Sequence, residues 1–406
     1  MKRIAIVGGG QSGLMLGLGL LEAGCAVTLV TNRPPDAVWN GRVLSSQCMF
    51  HDALEEERKL GLNQWEKRCP PVEGIAFSLS NGQGGKALEF ASRLDGYAQS
   101  VDQRVKMPGW MYQFQVMGGK LRFEDADVDA LEKLHRDHDL VIVASGKGEV
   151  GKLFPRDASR SPYEHPMRAL ALTYVRGMTP RKPYSAVSFS LSPGVGEYFV
   201  FPALTTSGPC EIQVLEGVPG GPMDHWSEAK TPEEHLAMSV KILEDFFPWE
   251  AERCRHLELT DPNGVMAAKF PPTVRRSVGF TPGGHPVLGM ADAVVLNDPV
   301  TGQGSNNAAK CAAVYLAAIL KHPGEKFDEK FMSATFDQYW EYAQAVTTWT
   351  NTLLGPPPPH IVQLLGAASQ DPRLAHWFVN GFNDPRSYFP AWLDPEAMGK
   401  LIAGGK

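Results

Sequence analysis

Three glycines near the amino terminus stand at a spacing that could bind a phosphate group: Gly8, Gly10 and Gly13, in the pattern Gly-x-Gly-x-x-Gly. The apolar residues 3–7 before them predict a buried parallel strand, and apolar residues after them recur at helical spacing. There the first glycine allows a tight turn, the second lets a pyrophosphate approach the backbone, and the third lets the helix pack on the strand. We predict a dinucleotide site that also includes Gln11 and Ser12. The alternative is a structural turn without a ligand.

The second predicted strand, residues 26–30, lacks the acidic residue that usually binds the ribose hydroxyls. Asn32 and Arg33 follow it instead. Asn32 can hydrogen-bond a ribose, and Arg33 could meet a phosphate or stack on adenine. We therefore expect a looser grip on the nucleotide than a carboxylate would provide.

Residues 146–151 match the glycine pattern a second time. Lys152–Pro155 cannot continue this match as a long helix, because proline breaks it. We interpret the match as fortuitous, although the backbone at Ser145 and Gly146 can still touch a cofactor. No other glycine-rich turn could serve a nicotinamide nucleotide, so the sequence predicts a single dinucleotide site.

The segment 298–307 is the second region that points to a ligand. Its glycines permit close backbone approach, and a helix is predicted to begin near Asn306, so free N–H groups point at whatever lies there. The electron-rich ring of a reduced flavin suits such a position. The candidate residues are Pro299, Gly302, Gln303, Gly304, Asn306 and Asn307.

Composition excludes several classes of protein. The 406 residues allow two or three domains, and 39 Lys+Arg against 45 Asp+Glu give a net charge of −6, which disfavours nucleic acid and anionic membrane as partners. The 41 Gly and 32 Pro favour a mixed α/β protein over a helical bundle. Six scattered cysteines and no apolar run of 18 residues indicate a cytoplasmic protein without a membrane span. Eleven unclustered histidines suggest no metal site.

Patterning along the chain predicts three regions. Residues 1–71, 93–165 and 270–327 form a discontinuous Rossmann-type dinucleotide-binding domain. Residues 72–92 and 166–269 form an inserted antiparallel-sheet substrate domain, with a hairpin turn at residues 81–85. Residues 328–406 form a helical carboxyl-terminal region.

The sequence resembles the FAD-dependent monooxygenases of the hydroxybenzoate hydroxylase fold, and more closely the oxygenase component of two-component styrene and indole monooxygenases. The motifs that carry the resemblance are the amino-terminal turn, Val101-Asp102-x-Arg104, Ser145-Gly146-Lys147, Phe189-Ser-x-Ser-Pro-Gly194, Asp298-Pro-Val-x-Gly-Gln-Gly304, Trp349-Thr-Asn351 and Phe382-Asn383. The resemblance implies that Asp292 holds the ribityl chain of FAD and that Arg42 and Arg104 lie near the flavin or its phosphates. Ala291 stands where the family motif usually has glycine.

The same resemblance bears on the substrate. The styrene branch carries Asn-x-Val-x-His after the arginine that corresponds to Arg42, and the indole branch carries Ser-x-Gln-x-Met, which matches Ser45, Gln47 and Met49. Indole is therefore the favoured native substrate. The expected pocket contains these three residues, and the predicted strands add Ser188, Ser190, Phe199 and Phe201 as a possible roof.

The resemblance also implies a mechanism. Reduced FAD is supplied by a separate NADH-dependent reductase and reacts with O2, and the flavin C4a-hydroperoxide epoxidises indole, which leads to indigo, or styrene. This electrophilic chemistry requires no catalytic acid or base, so no catalytic side chain is assigned. A homodimer is the plain expectation for the assembly.

Three alternatives remain. A flavin-dependent halogenase would carry Trp-x-Trp-x-Ile-Pro, and none of the nine tryptophans is two positions from another. In a single-component FAD/NAD(P)H oxidoreductase, NADH alone would bleach the bound flavin. A non-catalytic flavin-binding protein would give no product with reduced FAD and oxygen.

Overall fold

The computed structural model describes residues 1–146, 148–324 and 326–404, so Lys147 of the predicted Ser145-Gly146-Lys147 motif lies outside the described residues. The first of two large sheets contains the amino-terminal strand. Its strands are, in spatial order, Val278–Phe280, Pro286–Gly289, Leu140–Val143, Arg3–Val7, Ala26–Thr31 and Lys120–Phe123. All neighbours pair in parallel except the first two. The uninterrupted apolar runs form the central strands because helices cover both faces.

The second large sheet is built mainly from the middle of the chain. In spatial order its strands are Glu258–Leu259, Ala169–Arg176, Gly208–Gly217, Gly196–Thr205, Ala186–Ser192, Val72–Ser80, Lys86–Ser100 and Cys48–Met49, with Val265–Ala268 also on Ala169–Arg176. The prediction of an antiparallel sheet needs one correction, because Val72–Ser80 runs parallel to Ala186–Ser192. These two strands come from separate parts of the chain, so no hairpin dictates their relative direction.

The strand Lys86–Ser100 continues beyond residue 92, where the sequence predicted a domain boundary. It forms the predicted hairpin with Val72–Ser80, closed by a hydrogen bond from the Asn81 amide to the Gly85 carbonyl. The division into three regions stays a prediction. A short third sheet pairs Thr273–Val274 with Val295–Leu296.

Helices connect and cover these sheets. They are, in chain order, Gln11–Glu22, Pro35–Trp39, His51–Lys59, Gln103–Val116, Val128–Asp137, Gly148–Gly151, Pro232–Phe246, Pro248–Ala251, Gly304–Lys321, Glu329–Leu353, Pro359–Ala368, Pro372–Asn380 and Pro395–Ile402. The 3-10 turns are Glu252–Cys254, Ala291–Ala293, Pro299–Thr301 and Pro385–Tyr388. Within the described ranges, no helix combines the length and apolar character needed to cross a bilayer.

The carboxyl-terminal region is helical, as predicted, and an Asp-Pro pair marks the start of three of its helical turns. Asp371, Asp384 and Asp394 each accept hydrogen bonds from backbone amides of the turn that follows, and each precedes a proline. An aspartate cap followed by proline is a preferred helix start, because proline lacks an N–H that would need a partner. Trp349 and Trp392 of this region are buried in the core beside the second sheet. The predicted mixed α/β class is confirmed.

Candidate functional site

The amino-terminal glycine turn places its three glycines in different surroundings. Gly8 has φ of +128° and lies against the backbone of Ala144, so a side chain there would be both strained and obstructed. A Cβ on Gly13 would overlap the carbonyl oxygen of Gly8. A Cβ on Gly10 would meet no atom within 4 Å. Gly8 and Gly13 therefore allow the chain to fold, whereas Gly10 borders open space at the start of the helix Gln11–Glu22.

A cleft of cationic character opens at this turn. Its lining comprises Gly9, Gly10, Thr31, Arg33, Val38, Arg42, Leu44, Gln103, Arg104 and Met107. The side chains of Arg33 and Arg42 are exposed, and neither forms an ion pair with any residue that the structure describes. Two available guanidinium groups beside the positive end of a helix form a place for a negatively charged ligand. The structure thus brings together Gly10, Arg33 and Arg42.

Asn32 lies at the same edge but already has a partner. Its Nδ2 donates to Oδ1 of Asp125, at 2.8 Å. Asp125 follows the strand Lys120–Phe123, whose neighbour is Ala26–Thr31, so a carboxylate from the adjacent strand lies where the second strand has none. Sequence reasoning missed Asp125 because the parallel pairing of these strands was not predicted.

Arg104 lines the cleft, but its guanidinium is committed to protein groups. It bonds Asp102 through Nε at 2.9 Å and Asp261 through Nη1 and Nη2 at 2.8 and 3.0 Å. Burial opposes its charge, yet the two carboxylates hold the pKa of Arg104 above its ordinary range. It therefore joins the helix Gln103–Val116 to the turn between the strands Glu258–Leu259 and Val265–Ala268. In this arrangement few of its N–H groups are available to a phosphate.

The second predicted loop faces the first across a short gap. Gly302 has φ of +65°, which turns the chain into the helix Gly304–Lys321. Nε2 of Gln11 donates to the carbonyl of Ser305 at 3.2 Å and so links the two loops. Oε1 of Gln303 and Oδ1 of Asn307 are buried and lack a hydrogen-bond partner among the described residues. Such buried acceptors are costly unless a ligand or water meets them.

Asp292, Ser145 and Gly146 lie together beside the glycine turn. A Cβ on Gly146 would come within 3.1 Å of the Asp292 carbonyl, and one on Gly8 within 3.1 Å of the Ser145 amide. Ala291 has φ of +49°, a left-handed conformation that explains why glycine is usual there. After Gly146, the helix Gly148–Gly151 is only four residues long, as expected for a fortuitous pattern match.

A narrow apolar cavity lies between the second loop and the second sheet. Its lining comprises Ser46, Cys48, Phe50, Ile75, Val187, Phe189, Phe199, Phe201, Val214, Pro299, Val300, Thr301, Gly302 and Phe382. Two of the predicted pocket residues, Phe199 and Phe201, are among them. Burial raises the pKa of the Cys48 thiol to about 12, so this wall carries no charge at neutral pH. The chemistry of this lining, apolar and rich in aromatic side chains, suits an uncharged aromatic group.

Ser188 and Ser190, which were also predicted for the substrate pocket, do not line this cavity. The hydroxyl of Ser188 accepts from Arg253, at 3.2 Å, and that of Ser190 accepts from Trp249, at 3.1 Å. Alternate side chains of a strand face opposite sides of the sheet, and Val187 and Phe189 are the ones that face the cavity.

Ser45, Gln47 and Met49 do not line the cavity either, because the residues between them, Ser46 and Cys48, face it. Ser45 donates to Oε1 of Gln47, at 2.8 Å, and Gln47 donates to the Tyr174 hydroxyl, at 2.8 Å. Sδ of Met49 faces away from the cavity and accepts from Gln11, at 3.2 Å. The three residues therefore support the cavity wall from behind.

A polar cluster stands behind that wall and was not predicted. Nζ of Lys106 bonds Oε1 of Glu57 at 2.6 Å and Sδ of Met49 at 3.3 Å. The side chains of Lys106 and Glu57 are 3% and 2% exposed. Burial raises the pKa of Glu57 above its ordinary value although Lys106 opposes that shift. Lys106 and Glu57 lie in different helices, far apart in the chain, and nothing in the sequence pattern around either residue indicates that they form an ion pair.

Tyr174→Phe is expected to lower the free energy of unfolding by about 1–3 kcal/mol, because it leaves buried polar groups unpaired. The hydroxyl of Tyr174 donates to the Ser45 carbonyl, at 2.6 Å, and accepts from Gln47, whose φ of +40° is held in place by these bonds. Urea unfolding at neutral pH measures the loss. Tyr112→Phe removes a hydroxyl from a side chain that is 71% exposed and should change nothing. Equal stability of both variants would show that the Tyr174 bonds do not hold the wall.

Comparison with known proteins places this geometry in context. Residues 146–253 match the family described as "Styrene monooxygenase A putative substrate binding domain". The chain is 29% identical over 408 residues to styrene monooxygenase StyA of Pseudomonas fluorescens and 30% identical over 411 residues to StyA of a Pseudomonas species; each alignment covers 98% of this chain and 97% of the relative.

The fold is also shared with solved structures. A flavoprotein/dehydrogenase from Cytophaga hutchinsonii superimposes with a TM-score of 0.68 at 13% identity, covering 99% of this chain and 97% of the other. This likeness concerns the fold alone.

Proposed function

The chain belongs to the styrene monooxygenase family, and from that premise we propose that it is the oxygenase component of a two-component system that epoxidises indole in preference to styrene. Its membership makes it a flavin-dependent monooxygenase of the styrene monooxygenase type. The observation that carries the proposal of an oxygenase acting on a small aromatic substrate is the contact between two features. The apolar cavity shares the residues Pro299–Gly302 with the loop that is proposed to hold the flavin ring.

The residues of the two loops fit FAD. The open space at Gly10, with Arg33 and Arg42 beside it, would take the pyrophosphate, and Asn32 with Asp125 would lie near the ribose. The unpartnered acceptors of Gln303 and Asn307 would meet donors of the flavin ring. Asp292 stands beside Gly146 at the position proposed for the ribityl chain. The cofactor would thus extend between residues 8–13 and 299–307.

When bound and reduced, FAD would supply the two electrons that activate O2, and O2 would supply the oxygen atom that the substrate receives. The chain's own residues position the partners and exclude water. Phe199 and Phe201 form an apolar wall that would hold an aromatic ring, and Phe382 closes the cavity from the carboxyl-terminal region. Enclosure in such a site strengthens orientation and protects a reactive species from water. No side chain of this cavity needs to act as an acid or base.

The reduced cofactor is proposed to come from a separate NADH-dependent flavin reductase. One feature favours an exchangeable cofactor: the cleft at Gly10 is open to solvent through the exposed Arg33 and Arg42. An exchanging flavin should bind more tightly when reduced than when oxidised, which titration under anaerobic conditions can measure.

The preference for indole rests on Ser45, Gln47 and Met49, which shape the wall through Ser46 and Cys48. The test supplies a flavin reductase, NADH, FAD and air, and offers indole and styrene separately. Blue pigment from indole, with styrene oxide formed more slowly, is expected. The same mixture without this chain is the control. Faster turnover of styrene would overturn the preference, and the lack of any oxygenated product would overturn the substrate assignment.

Cys48→Phe is expected to raise KM for either substrate about tenfold, equivalent to about 1.4 kcal/mol, because the larger side chain fills the cavity. The dissociation constant for FAD should stay unchanged, since Cys48 lies outside the cleft at Gly10. Cys25→Phe is the matched control, because it makes the same exchange at a half-buried cysteine outside the cavity lining. Steady-state kinetics with excess reductase measures both variants. If Cys25→Phe raised KM as much as Cys48→Phe, the assignment of the wall would be wrong.

A further inference from the structure

A buried cluster of acidic groups lies on the cavity face of the second sheet. Glu197 and Glu216 are directly opposite each other on neighbouring strands, one step along from the pair Phe199 and Val214, which lines the cavity. Because side chains alternate along a strand, all four residues face the same side. Like charges at directly opposed positions repel, so two buried glutamates here need a specific reason.

Arg168 is the cation beside this cluster, and its guanidinium group is already paired with Glu197. Arg168 forms a bidentate pair with Glu197, with distances of 2.7 and 2.8 Å, and both side chains are buried. Its remaining N–H bonds go to the carbonyls of Met167, Leu353 and Leu354. Glu216 is therefore left without a cation of its own.

The third carboxyl belongs to the loop proposed to hold the flavin. Asp298 is 3% exposed, and its Oδ1 accepts from the Val300 amide, at 3.1 Å, which starts the turn Pro299–Thr301. Glu216 is fully buried, and its two oxygens have no conventional donor among the described residues. Its carboxyl is instead within hydrogen-bonding contact of the Asp298 carboxyl. Two carboxyl groups can form a hydrogen bond only if one of them carries a proton.

We propose that Glu216 and Asp298 share one proton at neutral pH and that this proton positions the loop Asp298–Gly304, which makes Glu216 a positioning residue for the cofactor loop and the cavity wall. The proposal rests on the proposed function only in its assignment of that loop to FAD. The hydroxyls of Thr301 and Thr350, 2.7 Å apart, hold the other side of the loop. Loss of the proton would place a second uncompensated charge beneath the loop.

The sign of the pH dependence follows from burial. Burial is the main cause that raises the pKa of Glu216 well above its ordinary value of 4.5, and burial also raises that of Asp298. The charged groups that face the pair are Arg168 and Glu197. The folded state therefore holds a proton that the unfolded chain releases above pH 4.5. The contribution of this proton to the free energy of unfolding is complete below pH 4.5 and is lost as the pH rises through the raised pKa of the folded state.

Glu216→Gln tests the proposal, because the amide can donate to Asp298 without carrying a titratable proton. Glu211→Gln, on the same strand but the opposite face, is the matched control. Infrared difference spectroscopy of the full chain without ligand should show the carbonyl stretch of a protonated carboxyl at neutral pH in the unchanged protein and in Glu211→Gln, and its loss in Glu216→Gln. Asp298→Asn, which keeps an acceptor for Val300, should also lose the band.

The affinity for oxidised FAD gives the second measurement. In the unchanged protein it should fall by up to about tenfold for each pH unit above the pKa of the pair, whereas in Glu216→Gln it should be independent of that titration. A band that persists in Glu216→Gln, or identical pH profiles in the two proteins, would overturn the proposal. If FAD binds neither protein, the proposed function fails, while the infrared band and the pH dependence of unfolding still decide whether the proton is shared.

Discussion

Gly10→Ala is expected to weaken FAD binding about 100-fold, equivalent to about 2.7 kcal/mol, while leaving the fold intact. The structure has room for the added Cβ, since no atom lies within 4 Å of its position. That room is the space in which a pyrophosphate would approach the backbone at the start of the helix Gln11–Glu22. Equilibrium titration of FAD by fluorescence measures the loss, and circular dichroism checks the fold.

Two further glycine variants make this result specific. Gly399→Ala adds a methyl group to equally open space in the helix Pro395–Ile402, away from both loops, and should bind FAD as the unchanged protein does. Gly13→Ala should fail to fold correctly, because its Cβ overlaps the Gly8 carbonyl. If Gly10→Ala kept full affinity for FAD, the turn would be a structural one, and the pyrophosphate would have to bind elsewhere.

The glycine turn could be predicted because its signal is local. A buried strand, three glycines and a helix lie within about 20 consecutive residues, and the functions of those glycines follow from backbone geometry alone. The same holds for the loop before Gly304–Lys321 and for the capped helices of the carboxyl-terminal region. Where a structural feature is formed by residues close together in the chain, the sequence alone was enough to predict it.

The cavity lining depends on which side of a strand faces inward, and the sequence does not contain that choice. Alternation shows that Cys48 and Met49, the two residues of a short strand, point in opposite directions, but either of them could face the substrate. Asn306 makes the choice here: its Oδ1 accepts from the Phe50 amide at 2.8 Å, and its Nδ2 donates to the Cys48 carbonyl at 2.9 Å. These contacts join positions more than 250 residues apart in the chain.

The buried pair Lys106–Glu57 is a second long-range feature, and it supports the glycine turn from behind. Lys106 lies in the helix Gln103–Val116 and Glu57 in His51–Lys59. Nε2 of Gln11, at the start of the turn's helix, reaches both Met49 and the Ser305 carbonyl beside this pair. An ion pair removed from water adds little net stability, but removal of one partner leaves the other charge uncompensated.

Lys106→Met should therefore lower the free energy of unfolding by about 3–5 kcal/mol at neutral pH. Burial already raises the pKa of Glu57, and loss of Lys106 should raise it further, so the deficit should shrink toward acid pH, where the folded state holds a proton on Glu57. Adding Glu57→Leu should restore most of the stability, because no charge remains buried. Lys59→Met, which removes a side chain 62% exposed, should cost less than about 0.5 kcal/mol. Urea unfolding at two pH values measures all four proteins, and a double variant no more stable than Lys106→Met would show that packing, rather than the unpaired carboxylate, accounts for the loss.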